Sequence, residues 1–319
     1  MSNNNDKEVI MELKNVSKVF DASKGRKLVA NEDISLKIYA GETLGIAGES
    51  GCGKSTLVRL ISKLEHVTDG EILFKGSPIT DLKGKEGHRH IQMIFQDPAE
   101  AFSPRMKVKN IICEPLINYK IIKRSEVYEN AVRLLEMVGL DESFAERYPR
   151  SMSGGQRQRI GIARAIALKP SILICDEATS ALDVSVQKNI IDLLIKLQKE
   201  QNITLLFICH DISLVRNIAH RTAIMYLGNI VEVVPGRDLC TSEKIHPYTK
   251  ALGKSLFYIG MDVTRPIQSL DSEIPSPLNK PDGCPFQNRC PECMEICGKE
   301  KPKLVEVETG HMIACHLYK

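Results

Sequence analysis

The sequence predicts an α/β protein: a parallel-sheet core with an antiparallel β edge, an inserted helical subdomain and a cysteine-rich C-terminal extension. Three observations lead there. Short, nearly continuous apolar runs read as strands buried on both faces. Helical patterns alternate with those runs, as in a parallel α/β sheet. Beyond about residue 235 the texture changes to scattered prolines and clustered cysteines. At 319 residues and 43% apolar content, the chain has enough material for one large or two modest domains with a real core.

Taken in order, "MELKNVSKVF" from Met11 and then "DISLKI" alternate apolar and polar residues with period two, which predicts half-buried strands of an antiparallel edge. The buried-strand runs are "TLGIAG" at 43–48, "IQMIF" at 91–95, "SILIC" at 171–175, "ITLLFIC" at 203–209 and "TAIMYL" at 222–227. Residues 186–197 carry an apolar stripe at helical spacing through Val186, Ile190, Ile191, Leu193, Leu194 and Leu197. Between about 97 and 165 the alternation breaks. "SEVYENAVRLLEMVGL" and "GGQRQRIGIARAIAL" are both helical with no comparable strand between them, which predicts a helical subdomain. From 236 to 319 the prolines and weak periodicity read as an appended region, in part a linker.

Composition excludes some function classes. A net charge of +3, from 43 basic and 40 acidic residues, gives no argument for a nucleic-acid partner. No run approaches the ~20 apolar residues that span a bilayer, and "MSNNNDKEV" lacks the apolar centre of a secretory signal. A cytoplasmic protein, soluble or peripheral, is the expectation. Of ten cysteines, Cys52, Cys113, Cys175, Cys209 and Cys240 are scattered, and five cluster in "CPFQNRCPECMEIC" and at Cys315. In a reducing compartment clustered thiols point to metal more than to disulfides.

"GESGCGKST" at 48–56 fits G-x-x-x-x-G-K-[ST] and lies between the strand "TLGIA" and the helical run "TLVRLISKL". Glycines let backbone N–H groups curl around β- and γ-phosphates, the helix amino terminus adds positive potential, Lys54 supplies a point charge, and Ser55 can ligate Mg²⁺. Gly48, Ser50, Gly51, Cys52, Gly53, Lys54, Ser55 and Thr56 are the candidate contacts. Such a site needs a carboxylate on a neighbouring strand for the metal, and "SILICDEATSALD" places Asp176 and Glu177 at a strand end. Asp176 is the metal-side candidate and Glu177 the candidate general base; paired acids there can also cap the following helix.

The segment "SMSGGQRQRIGIARAIALKP" resembles the signature of ABC-transporter ATPases, in the expected place before "ILICDE". Gln96 in "FQDP", Ser180 to Asp183, and His210 in "FICHD" are similar to that family's Q-loop, D-loop and switch histidine, in family order across residues 11–235. The resemblance implies a RecA-like P-loop NTPase core that binds ATP and Mg²⁺. It assigns Phe20 to the adenine, Gln96 to sensing Mg²⁺ and the γ-phosphate, and His210 to the γ-phosphate and attacking water. It makes Ser153, Gly154, Gly155 and Gln156 a second anion site that serves the ATP of another subunit. Two departures are both apolar: Met152 where leucine is usual, and Ala178 where proline is common.

"HPYTKAL", "SEIPSPLNKPDGCPFQNRC" and "GHMIACH" further resemble the C-terminal extension of oligopeptide, dipeptide and nickel importers, and the phosphate-loop stretch is more like their F-type than their D-type ATPase. This implies a heterodimer with a D-type ATPase subunit, two transmembrane permease subunits, an extracytoplasmic substrate-binding protein acting indirectly, and a place on the cytoplasmic face of the membrane. The alternatives are a nickel importer or, in another class, a soluble ABC ATPase of repair or translation. "NKPD" at 279–282 fits a guanine-reading pattern but follows no buried strand, so ATP is expected. Family resemblance selects Cys284, Cys290, Cys297 and Cys315, spaced C-x5-C-x6-C-x17-C, as ligands of a [4Fe-4S] cluster. From spacing alone zinc competes, since Cys290 and Cys293 form a zinc-like pair that Cys297, His311, Cys315 or His316 could complete.

Overall fold

The computed structural model describes residues 7–22, 25–82, 85–96, 102–179, 182–254 and 275–318. In chain order these form β1 (Val9–Asp21), β2 (Lys27–Tyr39), β3 (Thr43–Ala47), α1 (Lys54–Ile61), β4 (Asp69–Phe74), β5 (Ser77–Pro78), α2 (Lys85–His90) and β6 (Ile91–Ile94). There follow α3 (Val108–Asn118), α4 (Val127–Met137), α5 (Gly154–Ile166), β7 (Ile172–Asp176), α6 (Val184–Gln201), β8 (Thr204–Cys209) and α7 (Ile212–Ile218). The remainder is β9 (Arg221–Tyr226), β10 (Asn229–Pro235), α8 (Pro247–Lys254), β11 (Val305–Glu308) and β12 (His311–Ile313). The chain divides into two units, Met1–Pro78 with Ile208–Lys319, and Ile79–Phe207.

In the first unit a four-stranded antiparallel sheet runs β2-β1-β4-β5. The period-two pattern of β1 and β2 has its physical outcome here: Met11, Leu13, Val16, Ile34, Leu36 and Ile38 all lie in the core, with Leu13 opposite Leu36 and Val16 opposite Ile34. A second set of strands runs β11-β12-β10-β9-β3. β3, buried at all five positions, pairs in parallel with β9, and β9 turns back antiparallel into β10.

The C-terminal segment departs from the expectation of a region poor in regular structure. β12 pairs antiparallel with β10, Glu232 opposite Ile313, and β11 pairs antiparallel with β12, so the extension adds two strands to the sheet. The local signal is weak for a physical reason: β11, "VEVE", is almost wholly exposed, and its neighbour's partner strand lies far back in the sequence.

In the second unit β6 pairs in parallel with β7, and β8 lies on the other side of β7 before carrying the chain back to the first unit. Between β6 and β7 the described elements are α3, α4, α5 and short 3-10 turns. α3 buries Val108, Ile111, Ile112 and Leu116 even with Pro115 inside it, and α4 buries Ala131, Leu134 and Leu135. The helical pattern of α3 is absent from the sequence expectations, because Pro115 masks it. Among the described residues no helix is long and apolar enough to cross a membrane.

Candidate nucleotide site

The sequence-predicted residues fall in both units. In the first, the chain leaves β3 at Ala47 and bends through residues 48–53 into α1. Two glycines make the bend possible. A Cβ at Gly48 would lie 2.2 Å from the Met225 carbonyl oxygen, and Gly53, at φ +104°, would place one 2.4 Å from the Ala30 carbonyl oxygen. α1 starts with no side-chain cap and no acidic residue in its first turn, so its amino-terminal N–H groups keep their positive potential.

Lys54 is 6% exposed, and its Nζ donates to the Gly48 carbonyl at 2.6 Å and the Glu49 carbonyl at 2.9 Å. The same ammonium sits 3.7 Å from Cys52 Sγ, yet burial outweighs it and pushes the Cys52 thiol above its ordinary value. Ser50, Gly51 and Ser55 are exposed, and Thr56 is half-buried. The loop is therefore a rigid frame with an open mouth. Its frame comes from four distant places. Asn31 Nδ2 donates to the Gly53 carbonyl at 3.2 Å and the Gly228 N–H to the Cys52 carbonyl at 2.8 Å. The Glu49 N–H donates to the Tyr248 hydroxyl at 2.9 Å, and Arg289 pairs with the Glu49 carboxylate. Sequence reasoning missed all four residues. Tyr248 and Arg289 stand in the extension, inside "HPYTKAL" and "CPFQNRC", and those quoted segments were the available signal.

Phe20 is half-buried near the end of β1, opposite Leu28, with the Lys18 ammonium 4.8 Å from its ring centroid. His210 is exposed directly after β8, where Asp211 caps α7 by accepting from the Leu214 N–H at 3.2 Å.

In the second unit Gln96 is exposed just past β6. Asp176 ends β7 and Glu177 follows at φ +47°, both half-buried. A non-glycine side chain in the left-handed region is uncommon and strained, so the fold holds Glu177 in a special orientation at the strand end. Ala178 is 1% exposed, which makes it a packing residue.

Ser153 is the N-cap of α5: its Oγ accepts from the Gln156 N–H at 3.3 Å, and Gln156 Oε1 accepts from the Ser153 N–H at 3.0 Å, a complete capping box. Gly154 is exposed. Gly155 is needed for packing, since a Cβ there would meet Val186 Cγ1 at 2.6 Å. Met152 lies in the core, where an unbranched thioether can fill the space of a leucine. Ser180 lies outside the described residues; Asp183 caps α6, and hydrogen bonds from Ser185 and the Val186 N–H hold its carboxyl below the usual range.

Of the clustered cysteines, Cys284 and Cys297 are buried, Cys290 and Cys315 half-buried, and Cys293 exposed. Burial pushes the Cys284 thiol up to about 12, with Cys297, Cys315 and Cys290 adding to the rise; burial pushes Cys290 up to about 11, with Cys315, Cys293 and Cys297 behind it. These sulfurs are close enough to feel one another's charge. Among the described residues, however, no three His, Cys, Asp or Glu side chains converge closely enough to hold a metal ion. His311 is turned elsewhere, its Nε2 2.7 Å from Glu232 Oε1 and its Nδ1 3.5 Å from Ser242 Oγ. His316 Nε2 lies 2.9 Å from the Glu300 carbonyl oxygen. The lysine of "NKPD" is a tether, with Lys280 Nζ 3.4 Å from Glu32 Oε2 on β2.

A glycine-framed loop with a buried lysine between a strand and a helix defines a P-loop nucleotide-binding protein. The comparisons refine the class. The ABC transporter family matches residues 31–180, and the family described as oligopeptide/dipeptide transporter, C-terminal region, matches residues 231–297. The oligopeptide transport ATP-binding protein AppF of Bacillus subtilis is 44% identical, with 98% of each chain covered. The oligopeptide transport ATP-binding protein OppF of Haemophilus influenzae is 42% identical, with 99% of each covered. Among solved structures, the dimeric ATP-binding cassette MJ0796 bound to ADP and Pi matches with TM-score 0.64 and 32% identity, covering 71% of this chain and 99% of that one. The chain thus belongs to the ABC-transporter ATP-binding proteins, in the oligopeptide/dipeptide transporter family, and has their ATPase fold with mixed α/β sheets.

Proposed function

We propose that this protein is the F-type ATP-hydrolysing subunit of an importer for dipeptides or oligopeptides. One observation carries the reading: the ABC region and the peptide-transporter C-terminal region occur in order on one chain, and relatives covering nearly all of it are named for oligopeptide transport. In this reading residues 11–235 are the ATPase domain, with 97–165 as its helical subdomain, and 236–319 the extension. A D-type ATPase completes a nucleotide sandwich on the cytoplasmic face of the membrane. Two permease subunits and an extracytoplasmic binding protein deliver the peptide.

The roles follow from side-chain chemistry. The loop's N–H groups and Lys54 bind the β- and γ-phosphates, and Phe20 stacks on the adenine. Ser55, Asp176 and Gln96 offer the hard oxygen donors that Mg²⁺ takes, and the ion when bound neutralises phosphate charge. Glu177 accepts a proton from the attacking water, His210 holds that water and the γ-phosphate in line, and the products are ADP and phosphate. Ser153, Gly154, Gly155 and Gln156 present the amino end of α5 to the nucleotide of the partner subunit.

Cys284, Cys290, Cys297 and Cys315 are the four thiols of a [4Fe-4S] site in this reading. Four thiols are the right donor type, and because no three of them converge among the described residues, this reading requires the sulfurs to draw together when the metal binds. Zinc is the competing occupant. Iron and sulfide in anaerobically purified protein, with a paramagnetic signal on reduction, are the expected result; stoichiometric zinc without sulfide overturns the cluster.

The test of the main reading is peptide uptake by cells lacking this subunit. Wild type restores uptake and Glu177→Gln does not, its hydrolysis in the assembled complex falling by about 10² to 10⁴ while ATP still binds. Near-normal turnover removes Glu177 from the reaction, and peptide uptake indifferent to the subunit removes the importer.

A further inference from the structure

Glu49, the second residue of the phosphate loop, is held from three directions. Its backbone N–H donates to the Tyr248 hydroxyl at 2.9 Å. Its two carboxylate oxygens accept from Arg289, at 2.7 Å from Nη1 and 3.0 Å from Nη2, the paired geometry that makes arginine–carboxylate bonds strong and directional. Its carbonyl oxygen accepts from Lys54 Nζ at 2.9 Å. The residue that anchors the loop lysine is thus itself anchored by two side chains of the C-terminal extension.

Those two anchors are rigid. Arg289's side chain is 4% exposed, and its guanidinium also donates to the Tyr226 hydroxyl at 3.4 Å. Tyr226, Tyr248 and Phe286 are each at most 1% exposed and form a packed triangle, with ring centroids 4.7 to 5.3 Å apart. Phe286 lies between Cys284 and Cys290, and Arg289 directly precedes Cys290. The segment is pinned at its start, where the Cys284 N–H donates to the Cys297 carbonyl at 2.7 Å and a Cβ on Gly283 would come within 2.2 Å of that same oxygen. A displacement of the cysteine segment has a short covalent and aromatic route to Glu49.

We propose that Arg289 and Tyr248 are positioning residues through which the C-terminal extension holds Glu49, and with it Lys54, in the geometry that binds ATP. Nucleotide affinity in this protein is accordingly a property of the extension as well as of the loop. The inference rests on the reading of residues 48–56 as the ATP-binding loop.

The test measures MgATP binding by calorimetry, and ATPase rates in the assembled complex, for full-length Arg289→Lys, Glu49→Gln, the double variant and Tyr248→Phe. Arg289→Lys keeps the charge but loses the paired geometry, and it is expected to weaken ATP about tenfold. Glu49→Gln gives a similar loss, and the double variant is no worse than the weaker single one, since both remove one interaction. Tyr248→Phe, which deletes a single hydroxyl, raises KM for ATP about threefold with kcat at saturating ATP unchanged. Wild-type ATP affinity in the Arg289 and Glu49 variants, or additive losses, overturns the proposal. So does a lowered kcat at unchanged KM, the mark of a residue that only supports folding. Lys54→Ala is the control: if it loses ATP while the other variants do not, the positioning role fails and the loop assignment stands. Absence of ATP binding by the wild type fails the loop assignment itself.

Discussion

Lys54, 6% exposed, is held by two carbonyl oxygens of its own loop. Neutral acceptors leave the charge uncompensated, which is the electrostatic condition for attracting a polyphosphate. Lys54→Ala is therefore expected to weaken MgATP by ~1.5 to 3 kcal/mol, the range for a hydrogen bond to a charged group, as read by titration calorimetry. The loop was legible in the sequence because its chemistry is local: a glycine spacing, a lysine, and a strand and helix on either side. The partners of Glu49 were not, since Tyr248 and Arg289 stand 199 and 240 residues away. Glu177 is an intermediate case. Its identity and its place after a buried strand are in the sequence, but its left-handed backbone is set by the turn that follows β7.

Among the elements, α5 shows how a binding motif and a structural motif share residues. Ser153 and Gln156 satisfy each other's backbone N–H groups, so the amino end of α5 is ordered before any ligand arrives. Ser153→Ala is expected to cost about 1 kcal/mol of stability and Ser153→Gly only a few tenths, measured by thermal unfolding. An equal cost for both would place the serine's contribution outside capping. The β elements show the limit of periodicity. β2 alternates cleanly over residues 34–38 because one face is buried, whereas β10 is buried at six of its seven positions and β11, although it alternates Val and Glu, is exposed at three of its four, so neither shows one buried and one open face. Their pairing through β12 becomes visible only when residues 312–313 fold back onto residues 232–233.

On the scale of the whole molecule, the extension is fastened by buried polar groups as well as by strands. Glu232, fully buried on β10, meets His311 Nε2 at 2.7 Å, and the His246 N–H donates to its other oxygen at 3.2 Å. His246, 1% exposed, accepts the Tyr248 N–H on Nδ1 at 3.1 Å, and burial lowers its pKa from 6.5 to about 3. The folded form therefore refuses a proton that the unfolded chain takes up below about pH 6.5. This contribution to stability is fully present above that pH and is lost as pH falls toward 3, at roughly 1.4 kcal/mol per unit. Urea unfolding from pH 7 to pH 4 is expected to show a shallower loss for His246→Gln than for wild type, by about one proton's slope. Identical slopes would mean that His246 is protonated in the folded protein.

The class of this protein can be read from the chain alone: a phosphate loop, an acidic strand end, a signature helix and a cysteine-rich tail are each coded within a few tens of residues. Those features are legible because loop spacing, capping residues and the apolar runs of strands are written in neighbouring residues. That the tail supports the loop at 48–56 emerges in three dimensions alone, where Tyr248 and Arg289 meet Glu49. A buried arginine and a tyrosine hydroxyl acquire their partner when β9, β10 and the extension pack together, and no periodicity in a linear sequence records which carboxylate a distant guanidinium will meet.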